Sequence, residues 1–542
     1  MAGPTKRIAA KELKAALHDG GEIALLDARE EAPFDARHLL MAACAPIGRL
    51  EVLVGDLVPR RSARVVWCDD GERDAAGVSL SQKAAERMAA LGFTDVAVLD
   101  GGVDAWDAEG YPIYSGVHVP SKAFAEVVEH EAGTPYITAE ELKALIDEKA
   151  DIAIYDTRSY EEYHANSIPG AISAPGAELV YRFQDMTPSP ETLVVVNCGG
   201  RTRSIIGAQA LINAGVPNRV VSLKNGTQDW HLAGFEVVEG ATRRPPEITE
   251  AGKAAAFAYA DRVGALCDVR RIDQATLDLW RSEAGARTLY QIDVRTEEEY
   301  AAGHAPGARH VAGGQLVQET DRHMAVWGGR AVLFDDDGVR ATLTASWLQQ
   351  MGWEVAIIRN EDLTDALETG PYPAPVLGLD GADAKPVEPK TLKAWLDAGE
   401  ATAVDLAMSR AFYDGHIPGA WFALRSRLDT DLANAPTTQR LAFTSSDGAL
   451  ARLAAADVAK ARPETYVLAG GTEAWRAAGL PLKTGRENMA SVADDIRLRA
   501  REQAGSIEDA MRAYLAWEIE LVNQMAVDDD HRFKVVAPPA SA

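Results

Sequence analysis

Along the chain, amphipathic stretches of helical period alternate with short apolar runs, and the alternation repeats four times in the same order. Each round opens with a helix-like stretch and an apolar run that ends in Asp: IALLD to Asp27, IAIYD to Asp156, LYQID to Asp293 and TAVD to Asp405. A second apolar run leads into a polar, Gly-containing loop: VVW before Cys68, VVVN before Cys198, AVLF before Asp335 and LAF before Thr444. Another helix-like stretch and a β-branched run follow. Three rounds then close on a Gly-containing turn before Trp, at Trp106, Trp230 and Trp475, and the third has lost it. Strands alternating with helices at short spacing predict α/β domains, each a mostly parallel sheet flanked by helices. In such sheets ligands bind at the carboxyl ends of the strands, so the junction after VVVN is the place to look for chemistry.

Smaller landmarks recur in register. Arg follows the Asp at two residues in Asp27-Ala28-Arg29, Asp156-Thr157-Arg158 and Asp293-Val294-Arg295, whereas the fourth copy has Met408 and Ser409 near that place and Arg410 further on. A Pro-Gly turn comes next in Ser167-Ile168-Pro169-Gly170-Ala171, His304-Ala305-Pro306-Gly307-Ala308 and His416-Ile417-Pro418-Gly419-Ala420. The expected domains are 1–118, 134–240, 268–374 and 384–484, with a helical tail over 485–542. At 542 residues the chain exceeds what one core sustains, and about 150 residues per domain suits this division. The segments 119–133, 241–267 and 374–386 read as polar or Pro-containing connectors, the second continuing into an Ala-rich spacer helix. The tail reads as two helices and a frayed end, with two placements open: against the repeats, or between copies in a homo-oligomer.

Composition narrows the function. The balance of 47% hydrophobic and 25% charged residues is that of soluble globular domains, and no apolar run approaches the ~20 residues that cross a bilayer. The N-terminal segment has no apolar secretory core, so the expected location is the cytoplasm. A net charge of −26 repels phosphate backbones and anionic membranes, which argues against nucleic acid and membrane partners. Any anion site must therefore build its own positive potential from Arg side chains and backbone N–H groups. The four cysteines, Cys44, Cys68, Cys198 and Cys267, form no CxxC pair and no Cys/His cluster, so neither a metal site nor a disulfide framework is expected.

The ordered set of Asp-x-Arg, the His/Ser-x-Pro-Gly-Ala turn, a Cys loop before a helix and Gly-Gly-x-x-x-Trp resembles the rhodanese family of sulfurtransferases. The resemblance implies four tandem rhodanese-like domains, no cofactor, and an active loop of six residues that begins with the Cys. It also implies that copies lacking that Cys are silent. The loops then read Cys68-Asp69-Asp70-Gly71-Glu72-Arg73, Cys198-Gly199-Gly200-Arg201-Thr202-Arg203, Asp335-Asp336-Asp337-Gly338-Val339-Arg340 and Ser445-Ser446-Asp447-Gly448-Ala449-Leu450. In the fourth, Ser445 or Thr444 stands at the nucleophile position.

Sulfur transfer needs a thiolate that accepts sulfane sulfur, holds it as a persulfide and passes it on. The Cys198 loop suits this. Gly199 and Gly200 let N–H groups turn toward the sulfur, a helix beginning near Ser204 adds its positive end, and Arg201 and Arg203 offer forked donors to a small anionic sulfur donor. Cys198 is the expected catalytic residue, with Gly199, Gly200, Arg201, Thr202, Arg203 and Arg158 binding substrate. Arg158 either reaches the anion or pairs with Glu162. Cys68 with Arg73 is the second candidate site, weakened by Asp69, Asp70 and Glu72. The leading expectation is thiosulfate as donor, with cyanide or a thiol as acceptor. Mercaptopyruvate, glutathione persulfide and a non-catalytic scaffold or redox sensor are the alternatives. A phosphatase of the Cys-x5-Arg type is excluded, because that spacing falls on Ser204 and Asp74.

Overall fold

The computed structural model describes residues 5–74 and 76–538. Its four sheets follow the four rounds of the sequence pattern. The second copy has strand order Tyr136–Ile137, Val220–Leu223, Leu193–Asn197, Ile152–Asp156, Ile172–Ser173, and every pairing is parallel. The third and fourth copies repeat this order, and the first repeats it through Lys6–Ile8, Asp95–Leu99, Arg64–Cys68, Ile23–Asp27 and Ala42–Cys44. The outermost strands have two or three residues, too short to leave a periodic signal in the sequence. Each strand that ends in the landmark Asp lies inside its sheet, so its carboxylate emerges at the carboxyl edge.

The closing turns act alike in the three copies that keep them. Trp106, Trp230 and Trp475 are fully buried, and each indole N–H donates to a backbone carbonyl, of Pro112 at 3.1 Å, Glu236 at 2.9 Å and Pro481 at 2.9 Å.

The chain forms two compact units. One holds the residues up to Leu13, Ala24–Val117 and Ala374–Leu498, and thus the first and fourth repeats; the other holds Lys14–Ile23, His118–Pro373 and Arg499 onward, and thus the second and third repeats with the C-terminal segment. In the first unit, buried Arg425 pairs with Glu51 at 2.7 Å and Asp457 at 2.8 Å, which ties the fourth repeat to the first. In the second, Arg340 pairs with Glu178 and Glu299, both at 2.7 Å, which ties the third repeat to the second. The spacer helix is present as Glu250–Cys267, capped by Thr249, and packs on Glu178–Met186 and Val339–Gln350.

Two expectations are corrected. The segment read as a polar connector at 119–133 is the helix Val119–Ala132, begun by Pro120 and ended by Gly133 in the left-handed region, and its first ten residues are buried. Among the described residues the tail carries one α-helix, Ile507–Met525, rather than two, with a short 3-10 turn at Ala500–Glu502 before it. That helix packs on Val119–Ala132 within the second unit and buries Met511, Leu515 and Leu521.

Candidate functional site

Sheet register identifies the equivalent loop-opening position in each repeat. Asp27, Asp156, Asp293 and Asp405 lie opposite Cys68, Asn197, Phe334 and Thr444. In each case the N–H that follows the Asp donates to the carbonyl of that opposite residue, at 2.9–3.0 Å. The next residue along opens the loop, and it is Asp69, Cys198, Asp335 or Ser445. Helix N–H groups confirm the equivalence: Ser81, Ala341 and Ala451 donate to the side chains of Asp69 (2.7 Å), Asp335 (2.9 Å) and Ser445 (3.2 Å). Backbone N–H groups of Ser204 and Gly200 serve Cys198 in the same way.

This register corrects the second candidate site. Cys68 is the last residue of its strand, fully buried, with its thiol 3.6 Å from the Asp27 carboxylate. Burial and Asp27 push that thiol well above its ordinary pKa. Arg73 sits further along a longer loop, where it donates to the Gly77 carbonyl at 3.1 Å. The strand and its loop run on without a sequence break, so a Cys that ends the strand stands one residue before the position that Cys198 holds. Ser445, not Thr444, takes the position in the fourth copy.

Cys198 lies between the strand Leu193–Asn197 and the helix Thr202–Ala214, is 2% exposed, and donates to Ser204 Oγ at 3.5 Å. Burial raises its pKa above the ordinary thiol value, while Arg203, Ser204 and the Gly200 N–H pull it down. The closing turn backs this loop: Thr227 N–H donates to the Cys198 carbonyl at 2.9 Å and Gln228 N–H to Gly199 at 3.2 Å. Gly226 has φ of 57°, and a Cβ there would lie 2.3 Å from the Cys198 carbonyl oxygen, so only glycine fits.

The predicted arginines part ways. Arg203 forks onto Glu162 at 2.6 and 2.9 Å and remains close enough to Cys198 to favour its thiolate. Arg158 does not take Glu162; it forks onto Asp156 at 2.9 and 2.7 Å and caps the Asn166 carbonyl at 2.6 Å. Its stem lies beside Gly199, but its Nη2 and Nε are engaged. Arg201 turns away to Glu126 at 2.7 Å, to Glu129 and to Asn225 at 3.0 Å. It anchors the loop to the helix Val119–Ala132 and offers no free cation to an anion. Glu126, buried against Arg201, is raised to about 7 by desolvation.

Sequence reasoning missed the residues that arrive from the tail. Glu518, 1% exposed, accepts from Thr202 Oγ1 at 3.3 Å and Tyr514 Oη at 2.7 Å. Its Oε2 lies over Gly200 with no partner among the described residues. No motif signals this contact, since Glu518 is one acid among several on an amphipathic helix. Elsewhere, His18, Asp529 and Asp530 bring their ligand atoms within 4.8 Å of one another, and the Lys14 ammonium already bonds both carboxylates.

The rhodanese-like domain model matches residues 9–109, 138–233, 278–360 and 388–478. A crystal structure of a thiosulfate sulfurtransferase from Pseudomonas aeruginosa is 44% identical, with a TM-score of 0.91, over 98% of this chain and 100% of that one. The HTH-type transcriptional regulator Rv0324 of Mycobacterium tuberculosis is 35% identical over 94 residues, 17% of this chain and 41% of the regulator.

Proposed function

The chain belongs to the family built from rhodanese-like domains, and from that premise we propose that it is a sulfurtransferase that takes sulfane sulfur from thiosulfate onto Cys198. The observation that carries this reading is the single thiol among four equivalent loop positions, set against helix N–H groups with Arg203 beside it. Its likeness along the whole chain to a thiosulfate sulfurtransferase supports the same donor.

The Cys198 thiolate attacks the outer sulfur of thiosulfate, the S–S bond of the donor breaks, and sulfite leaves with the bonding pair. The Cys198 persulfide then gives its terminal sulfur to cyanide, forming thiocyanate, or to a thiolate, forming a new persulfide, and the Cys198 thiolate returns. Arg203 and the Ser204 and Gly200 N–H groups stabilise negative charge on sulfur at each stage. No net oxidant or reductant is required.

Thiosulfate without acceptor is expected to release sulfite in a burst equal to the enzyme present. It leaves the peptide containing Cys198 heavier by one sulfur, and cyanide removes that mass. Mercaptopyruvate run in parallel decides the donor. Turnover without persulfide on Cys198 sinks the mechanism, and the absence of both turnover and modification favours a binding scaffold.

A further inference from the structure

Three of the four repeats place an Arg guanidinium in one kind of nest. Arg29, Arg158 and Arg295 fork through Nε and Nη2 onto Asp27, Asp156 and Asp293. The same Nη2 donates to the carbonyl that ends the following short helix, that of Arg37 (2.6 Å), Asn166 (2.6 Å) or Gly303 (2.5 Å). Each nest thus offers a planar cation two carboxylate oxygens and a carbonyl.

The fourth repeat keeps the nest and lacks the cation. Ala407 stands where Arg stands in the other three. Ala407 N–H donates to Asp405 Oδ1 at 2.9 Å, as the Arg N–H groups do to their Asp at 3.0–3.1 Å, so the carboxylate is held in the same orientation. Gly415 ends the helix with φ 176° and ψ 105°, close to Gly303 at 172° and 125°, so its carbonyl points the same way. Between them is a cavity of about 270 Å³ lined by Asp405, Ala407 and Gly415, with exposed Asp414, Glu473 and Arg476 also on its wall. Asp405 is 1% exposed and, among the described residues, its carboxylate accepts only the Ala407 N–H. Buried with no cation beside it, its carboxyl is pushed up to about 7.

We propose that this cavity binds a guanidinium cation, with Asp405 and the Gly415 carbonyl receiving it as the sister repeats receive their own Arg. Two acids against one Arg on the wall favour a cation, and a planar fork suits the nest better than a compact ammonium does. Binding requires the Asp405 carboxylate, so it weakens as pH falls through about 7. The guanidinium comes either from a small guanidino compound or from an Arg side chain of a peptide.

Methylguanidinium added to the full chain is expected to raise Tm at low millimolar concentration and to show saturation transfer from the protein. Urea, its neutral analogue, and methylammonium are expected to do neither. Asp405→Asn weakens methylguanidinium binding at least tenfold. Ala407→Arg fills the nest from within, abolishes binding and leaves sulfite release from thiosulfate unchanged, since the site lies in the fourth repeat. Arg476→Ala removes the like charge from the wall and tightens binding severalfold. L-arginine binding more tightly than a capped Arg peptide marks a small-molecule site, and the reverse marks a peptide site. The proposal is overturned if methylguanidinium has no effect, if methylammonium matches it, or if Asp405→Asn binds as well as the wild type. A fold-disrupted Ala407→Arg leaves Asp405→Asn to decide.

Discussion

Cys68 and Cys198 differ by one position of register, and that one position separates a strand-end thiol from a loop thiol. Cys198→Ser is expected to abolish sulfite release from thiosulfate and Cys68→Ser to leave most of it; equal losses would show that the register does not decide which thiol works. Arg203 is the cation that reaches Cys198, whereas Arg201 is held by Glu126 and Glu129. A charge-assisted contact contributes about 1.5–3 kcal/mol, so Arg203→Ala should lower kcat/KM for thiosulfate on the order of ten- to a hundredfold. The sign of the pH effect follows from the raised Cys198 pKa. Its thiolate is scarce at neutral pH and grows as pH rises, and removing Arg203 pushes the thiol higher still. Alkylation of Cys198 by iodoacetamide should therefore accelerate with pH in the wild type and shift to more alkaline pH in Arg203→Ala. An unmoved profile would mean that Arg203 does not act on the sulfur.

At the scale of elements, the Cys198 loop is assembled from four directions. The strand Leu193–Asn197 delivers Cys198, the helix Thr202–Ala214 turns its N–H groups to it, and the closing turn at Gly226 supports it from behind. The tail helix Ile507–Met525 adds the Glu518 carboxylate over Gly200. A buried carboxylate at that place repels an anionic donor. Glu518→Gln keeps the shape and removes the acid from beside Gly200, so kcat/KM for thiosulfate should rise about fivefold, the effect of roughly 1 kcal/mol of repulsion. Reaction with a neutral alkylating agent should change less. A fall in kcat/KM would instead give Glu518 a positive part in catalysis. The spacer helix Glu250–Cys267 was legible as a helix because its cap and Ala-rich run are local signals. The helix Val119–Ala132 was not, because its buried polar face, with Glu126 set against Arg201, only makes sense beside its partners.

The whole molecule pairs its repeats through buried arginines, Arg340 in one unit and Arg425 in the other. Removing one partner of a buried pair strands the other charges and costs about 3 kcal/mol. Arg340→Ala should lower the unfolding transition of the unit that contains Cys198, and Arg425→Ala that of the unit containing the first and fourth repeats. Calorimetry on each variant checks this, and an identical shift of one shared transition would show that the units do not unfold separately.

By itself the sequence determined the four α/β repeats, their order, Cys198 and its glycine-lined loop, and the Trp closing turns. These are local: strand and helix periods, glycines at positive φ and a buried indole each leave a mark within a short stretch of chain. Only the tertiary structure decided that Asp69 rather than Cys68 opens the first loop, that Arg203 rather than Arg158 takes Glu162, that Arg201 is an anchor, and that Glu518 stands over the site. The same holds for the empty nest at Asp405. The sequence displays the missing Arg, but the nest exists only where a carboxylate and a distant carbonyl converge. Hydrogen-bond partners and charge neighbours are fixed by which strands adjoin and which helices pack, and residues that meet across hundreds of positions carry no signal of that meeting in the order of the chain.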